Sequence, residues 1–309
     1  MPGIDNVNSQ LDKKINKILN RYKSETDQDQ SIVTNLVLSG GGVKGIAHIG
    51  ALKLLEEEKI LKNIKVFAGT SIGGIIAGMY CIGYSPDDLY NFIEMFDLTK
   101  LMSFSPSDFL QNYALDNGHR ITFVMGKMFE SKNVSKNITF KELYNLSKIK
   151  LIVSTVCLND NQVYYISHIT HPGMQVITGL RMTSAFPLIF TPVSYNGKLY
   201  VDGCCIDNYP IRLFKDELKF TVGVYVRAEQ QFKKSIDNLE DFLFALLDAI
   251  IEGMTSNSIN AFESNTVVIN TPDIKMTESV ISNNAKKDMY ARGYESTKNF
   301  LKLKNKKIN

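Results

Sequence analysis

Two short apolar runs, each passing through a glycine-rich turn into a helix, constrain this chain more than any other feature. Asn35-Leu36-Val37-Leu38 reads as a buried strand, followed by Ser39-Gly40-Gly41-Gly42-Val43-Lys44-Gly45 and a helix over Ile46–Glu57. Residues 65–68 read as a second strand, which leads through Gly69-Thr70-Ser71-Ile72-Gly73 into a small-residue helix over 72–80. Two successive strand–helix units imply adjacent parallel strands joined by a right-handed crossover. Both turns then open at one carboxyl edge of the sheet, where ligands bind in open α/β folds. The glycine loop and Ser71 are therefore expected to be neighbours in space.

Gly69-Thr70-Ser71-Ile72-Gly73 fits G-x-S-x-G, a strained strand-to-helix turn that exposes a serine hydroxyl above the sheet. Glycines beside Ser71 remove the β-carbons that would crowd such a turn. The plainer reading is a glycine-rich helix start packed on a sheet. The backbone N–H groups of Gly40, Gly41 and Gly42 can turn toward a developing oxyanion, aided by the field of the following helix. Lys44 is read as fixing that loop or meeting solvent. Two rival readings of the loop fail. Gly40, Gly42 and Gly45 also satisfy G-x-G-x-x-G, but a dinucleotide site needs an acid at the end of the second strand, where Ala68-Gly69-Thr70-Ser71 has none. A P-loop needs Lys and Ser or Thr after its last glycine, and Gly45 is followed by Ile46 and Ala47.

A serine nucleophile needs a base. Of the four histidines, His48, His119, His168 and His171, the first lies inside the first helix, and His168 and His171 fall in a loop with no motif around them. No histidine follows Asp202, although α/β-hydrolases place theirs last. His168 and His171 remain the histidine candidates for a conventional Ser-His-Asp esterase. Asp202 ends a strand over 198–201 and is followed by Gly203, so it is the carboxylate candidate and equally a turn residue. A carboxylate is a weaker base than imidazole, and burial would have to compensate. A third reading is a non-catalytic lipid- or nucleotide-binding α/β module.

Residues 1–31 form a polar extension and 32–309 a single domain. In the extension Leu11, Ile15, Ile18, Leu19 and Tyr22 share a helical face opposite basic residues, which suits a membrane surface or docking on the chain's own domain. Residues 25–30 read as a linker. Ser85 caps a further helix, residues 97–136 form covering structure with core aromatics such as Phe104, Phe109 and Phe129, and 139–144 a short capped helix. Residues 150–156 read as a strand turned back by Asn159-Asp160-Asn161 into 162–166, and 178–186 as a helix stopped by Pro187. Asn196-Gly197 marks a hairpin. Strands over 220–226 and 266–270 and a helix over 279–302 follow. Leu239, Phe242, Leu243, Leu246, Leu247, Ile250 and Ile251 repeat at helical spacing, which predicts one long helix with a core-facing stripe.

A formal charge of +3 is too small for a nucleic-acid binder. No run of eighteen apolar residues predicts a membrane span, and the N-terminus lacks a signal-peptide core. Cys81, Cys157, Cys204 and Cys205 show neither disulfide framework nor metal spacing, which favours a reduced, intracellular protein, soluble or peripherally membrane-associated. Oligomeric state is not legible.

Taken in order, Ser39-Gly40-Gly41-Gly42-Val43-Lys44-Gly45, Gly69-Thr70-Ser71-Ile72-Gly73 and Asp202-Gly203 resemble the patatin-like phospholipases. Supporting stretches are His48-Ile49-Gly50-Ala51-Leu52, Ser184-Ala185-Phe186-Pro187 with Phe190 and Pro192, Asn208-Tyr209-Pro210, and a weaker Gly293-Tyr294. The resemblance spans residues 34–226. It implies a three-layer α/β/α sandwich with a central, mostly parallel sheet. It also implies a Ser71–Asp202 dyad without histidine and an oxyanion hole from Gly40, Gly41 and Gly42. The implied reaction is hydrolysis of fatty-acyl esters of membrane phospholipids through an acyl-enzyme, with no metal or cofactor, at a membrane surface. One departure stands beside the dyad: Cys204 replaces the family's Gly or Ala after Asp202-Gly203. Cys204 and Cys205 are read as structural, with a redox-sensitive thiol as the alternative.

Overall fold

Alternation along the strands decides how the layers stack. Leu36, Leu38, Phe67, Leu151, Val153, Val222 and Val224 enter one apolar cluster, whereas their neighbours Val37, Ala68, Ile152 and Tyr225 enter another. Successive side chains of a strand point to opposite faces, so both faces of this sheet are covered. The computed structural model describes residues 32–96, 100, 113–229, 236–272 and 281–306. The chain divides into two units, Met1–Ile32 and Val33–Asn309, and only the second is described below. The 11–22 helix, the 25–30 linker, Phe104 and Phe109 lie outside the described residues.

The first half runs β1 (Asn35–Leu38), α1 (Ile46–Glu57), β2 (Val66–Thr70), α2 (Ile72–Cys81), α3 (Pro86–Met95), β3 (Ala114–Asp116), α4 (His119–Ser131), α5 (Phe140–Ser147) and β4 (Lys150–Cys157). The second runs β5 (Gln162–Ile166), α6 (Val176–Thr183), β6 (Leu188–Phe190), β7 (Val193–Tyr195), β8 (Lys198–Asp202), β9 (Thr221–Ala228), α7 (Leu239–Ala261), β10 (Thr266–Thr271) and α8 (Asn283–Lys306). Capping boxes start α3 through Ser85 and Asp88, and α5 through Thr139 and Glu142, satisfying N–H groups that a helix leaves free at its start. The main sheet has the order β10-β9-β1-β2-β4-β8-β7. Its first five strands are parallel, and β5, β7 and β8 form antiparallel pairs. The larger cluster lies under α1, α2, α4, α5 and α6. The smaller lies under Tyr209, the turn Pro210–Phe214 and Ile259 of α7, so the second helical layer is thin. This is the three-layer arrangement expected.

Two expectations change. The helix expected over 178–186 ends at Thr183, because the Ser184 hydroxyl turns back to the Leu180 carbonyl at 2.9 Å and closes the last turn. The stripe of α7 expected in the core divides in two. Leu247 and Ile251 pack on the domain, while Leu239, Phe242, Leu246 and Ile250 are exposed. Periodicity shows that apolar residues share an arc of a helix, not that protein covers all of it.

One strand edge sets up the site. Through Lys150 to Ser154, β4 pairs with β2, and through Thr155 to Cys157 it pairs with β8. Ser154 bonds β2 and β5, and Thr155 bonds β5 and β8. Since a strand has two edges and β5 occupies one, β2 and β8 share the other. They run in opposite senses and meet end to end, with Thr70 opposite Ser154 and Asp202 opposite Thr155.

Candidate active site

Ser71 follows β2 immediately and precedes α2. Its backbone lies at φ 54° and ψ −127°, a region that a residue with a side chain rarely adopts. Such strain costs about 1–3 kcal/mol and persists only where the surroundings enforce it. Here the Ser71 N–H donates to Thr183 Oγ1 at 2.9 Å, which fixes the turn against the end of α6. Ser71 is 9% exposed, at the N-terminal end of α2.

Asp202 is fully buried at the end of β8. Its N–H donates to the Ala185 carbonyl at 3.0 Å, and its Oδ1 accepts the Cys204 N–H at 2.9 Å. Oδ2 has no partner of normal hydrogen-bond geometry among the described residues, yet the Ser71 hydroxyl comes close enough to lower the carboxyl's pKa. Long or poorly aligned contacts of this kind are common in active sites without substrate. Burial dominates and raises Asp202 to about 6, while the Cys204 N–H, Ser71 and the Arg181 charge pull against it. Behind the pair, Thr70 Oγ1 and Ser154 Oγ are hydrogen-bonded at 2.5 Å, and Thr70 donates to the Asp207 carbonyl at 3.0 Å. Gly203 lies against this junction, and a β-carbon there would meet the Ser154 carbonyl oxygen at 2.6 Å.

The glycine loop is held from below. Ser39 Oγ accepts the Val226 N–H at 3.1 Å and donates to the Gly40 carbonyl at 2.9 Å. His48 Nε2 lies 2.9 Å from the Ser39 carbonyl and donates to it. The Gly40 N–H donates to the Asn208 carbonyl at 3.0 Å, so it is already engaged. Among the described residues no acceptor takes the N–H of Gly41 or Gly42. Gly40 contributes instead by lacking a side chain, since its β-carbon would clash with the Asn208 side chain and lie 3.4 Å from Ser71 Cβ. Loop and serine are neighbours, as expected.

The histidines lie elsewhere. Burial drives His48 down to about 4, so it is neutral and structural. Because β5 runs antiparallel to β4, the chain after Ile166 heads to the sheet's amino edge, opposite Ser71. There His168 stacks on Tyr144 at 3.8 Å and His171 meets Tyr164 edge-on. His119 is exposed at the start of α4. Among the described residues no imidazole is hydrogen-bonded to Ser71.

Beside Asp202 lies an apolar cluster of Phe186, Ile189, Phe190 and Cys204, with Phe244, Leu247 and Ile251 of α7 packed against it. Position 204 therefore faces apolar side chains, which accommodates cysteine there. Burial, then Cys205 and Asp202, push the Cys204 thiol up, which keeps it protonated and unreactive. Arg181 is buried over the Phe190 ring and donates to the Thr191 carbonyl at 3.0 Å. Burial lowers it to about 10, against the carboxylates of Asp116 and Asp202. The sequence reading missed the supporting roles of Ser39, Thr183, Arg181 and Asn208. Ser39 and Asn208 stood in motif stretches, but nothing local marked Arg181. A surface cavity of about 500 Å³ lined by Gly83, Lys132 and Ser135 lies at the far end of α2, so it does not serve this site.

Residues 36–215 match the patatin-like phospholipase family model. The uncharacterized protein R571 of Acanthamoeba polyphaga mimivirus is 33% identical over 239 residues, covering 74% of this chain and 77% of that protein. A probable lipid hydrolase, 463L, of Invertebrate iridescent virus 6 is 31% identical over 182 residues, covering 57% of this chain and 61% of its own. In fold, the chain is similar to VipD from Legionella pneumophila, with TM-score 0.62 and 19% identity over 88% of this chain and 67% of that one. With over half of its length matched, this chain belongs to the patatin-like phospholipase family.

Proposed function

We propose that the protein hydrolyses fatty-acyl esters of membrane phospholipids, with Ser71 as nucleophile and Asp202 as its base. The observation carrying this reading is the strained Ser71 facing a fully buried carboxyl raised to about 6, with no imidazole alongside. Ser71 Oγ attacks the acyl carbonyl carbon while its proton passes to Asp202. The carbonyl oxygen becomes an oxyanion, which the Gly41 and Gly42 N–H groups and the start of α2 stabilise. As the ester bond breaks, Asp202 returns the proton to the departing alcohol, leaving an acyl-Ser71. Water, deprotonated by Asp202, then releases the fatty acid. A carboxyl near 6 is a better base than an ordinary one and is still ionised at neutral pH.

The apolar cluster around Phe186 and Phe190 suits an acyl chain at this position. Family membership and the lipid hydrolase named among the relatives support a lipid substrate. Fatty-acid release from phosphatidylcholine and lysophosphatidylcholine tests the reading. Ser71→Ala should lower turnover about 10³-fold or more while leaving the fold intact. A folded Ser71→Ala protein with most of its activity would refute it.

A further inference from the structure

We infer that the outer face of α7 is the surface on which the protein docks to an uncharged or zwitterionic lipid layer, an inference that rests on the lipid-hydrolase reading. Leu239, Phe242, Leu246, Ile250 and Met254 follow one another at helical spacing and are exposed by 71%, 52%, 47%, 47% and 41%. Together they form a continuous ridge roughly 22 Å long at 1.5 Å per residue. A helix facing water ordinarily turns polar residues outward, and an exposed apolar strip of this size marks an interaction surface. On α7 the apolar ridge faces out, while Glu252 accepts the Tyr225 hydroxyl at 3.1 Å.

The helix that carries the ridge is anchored to the domain at its C-terminal end. Thr255, Ser258 and Ile259 are buried, and Arg212 Nε donates to Ser258 Oγ at 3.1 Å. Although Asp241–Ala261 is long and apolar enough to cross a membrane, with mean hydropathy 1.3, this packing suits a helix lying on a lipid layer.

Two observations identify the occupant. First, the adjoining flank of the same helix, through Phe244, Leu247 and Ile251, packs on the apolar cluster containing Cys204, whose N–H bonds Asp202. A lipid layer against the ridge is one helix width from the candidate acyl site. Second, α7 contains Glu240, Asp241, Asp248 and Glu252 and no Lys or Arg. The helix therefore offers anionic headgroups no cation of its own, so the apolar ridge must supply the attraction.

Co-sedimentation of the full chain carrying Ser71→Ala with phosphatidylcholine vesicles tests this without consuming the lipid. The protein should bind, and adding phosphatidylglycerol should not strengthen binding. Leu246→Gln with Ile250→Gln should weaken binding tenfold or more, since each side chain withdrawn from the lipid forfeits the burial of an aliphatic group. In the Ser71 background the same pair should leave the melting temperature and hydrolysis of a water-soluble short-chain ester unchanged, which separates this inference from the dyad. Absence of phosphatidylcholine binding, binding unaffected by the pair, or binding that requires phosphatidylglycerol would overturn it. So would a ridge-dependent dimer in light scattering, which would make a second copy the occupant.

Discussion

Asp202 is buried completely, and burial opposes the ionised form that the proposed mechanism needs. Its folded pKa of about 6 lies above the ordinary 3.8. The folded protein therefore holds a proton that the unfolded chain releases, and this group withdraws stability as pH rises from about 4 to 6. Asp202→Asn should raise stability at pH 8 by about 1–3 kcal/mol, and the gain should vanish near pH 4. Urea unfolding of both proteins at the two pH values measures it. His48 acts in the opposite sense, because its folded pKa of about 4 lies below 6.5. It withdraws stability as pH falls through that window, so only the difference between the two proteins isolates Asp202. The same carboxyl should set the acid limb of kcat/KM near 6. Arg181 holds Asp202 down, so Arg181→Met should move that limb to higher pH, which a pH–rate profile of the folded variant reads. A limb that stays in place would remove Arg181 from this role.

The elements make the site through the end-to-end meeting of β2 and β8 on one edge of β4. The strands themselves were legible in the sequence, because 35–38, 65–68 and 150–156 are apolar runs bounded by turns. Their convergence was not, since no local pattern states that an antiparallel strand will continue the edge a parallel one leaves. The resemblance supplied that pairing of Ser71 with Asp202, and the register explains it. Gly203 is one of the tight points of this junction, where an added β-carbon would meet the Ser154 carbonyl oxygen at 2.6 Å. Gly203→Ala should destabilise the fold by more than about 2 kcal/mol and reduce activity, because backbone cannot yield as a side-chain tip can. Gly126 in α4 has only Lys136 nearby, at 3.8 Å. There the same change should be neutral or stabilising by up to about 1 kcal/mol, since alanine favours helix. Thermal melts of the two variants compare them.

Over the whole molecule, the residues matched by the family model do not complete the sheet. Beyond residue 215, β9 pairs with β1, and β10 with β9. The Val226 N–H of β9 also holds Ser39 beneath the glycine loop. A fragment of residues 33–215 should therefore lack cooperative unfolding, as circular dichroism melts would show. The exposed apolar ridge of α7 was hidden from sequence for a related reason: an apolar arc is visible in a pattern, but what covers it is a property of the assembled chain. One pair of side chains, Ser71 and Asp202, carries the proposed mechanism, and mass mapping after a fluorophosphonate probe addresses it most directly. The wild type and a His168→Ala, His171→Ala double variant should each carry a single adduct on Ser71, and folded Asp202→Asn should label at least about 100-fold more slowly. Labelling that survives in Asp202→Asn and disappears in the histidine variant, or an adduct on another residue, would contradict it.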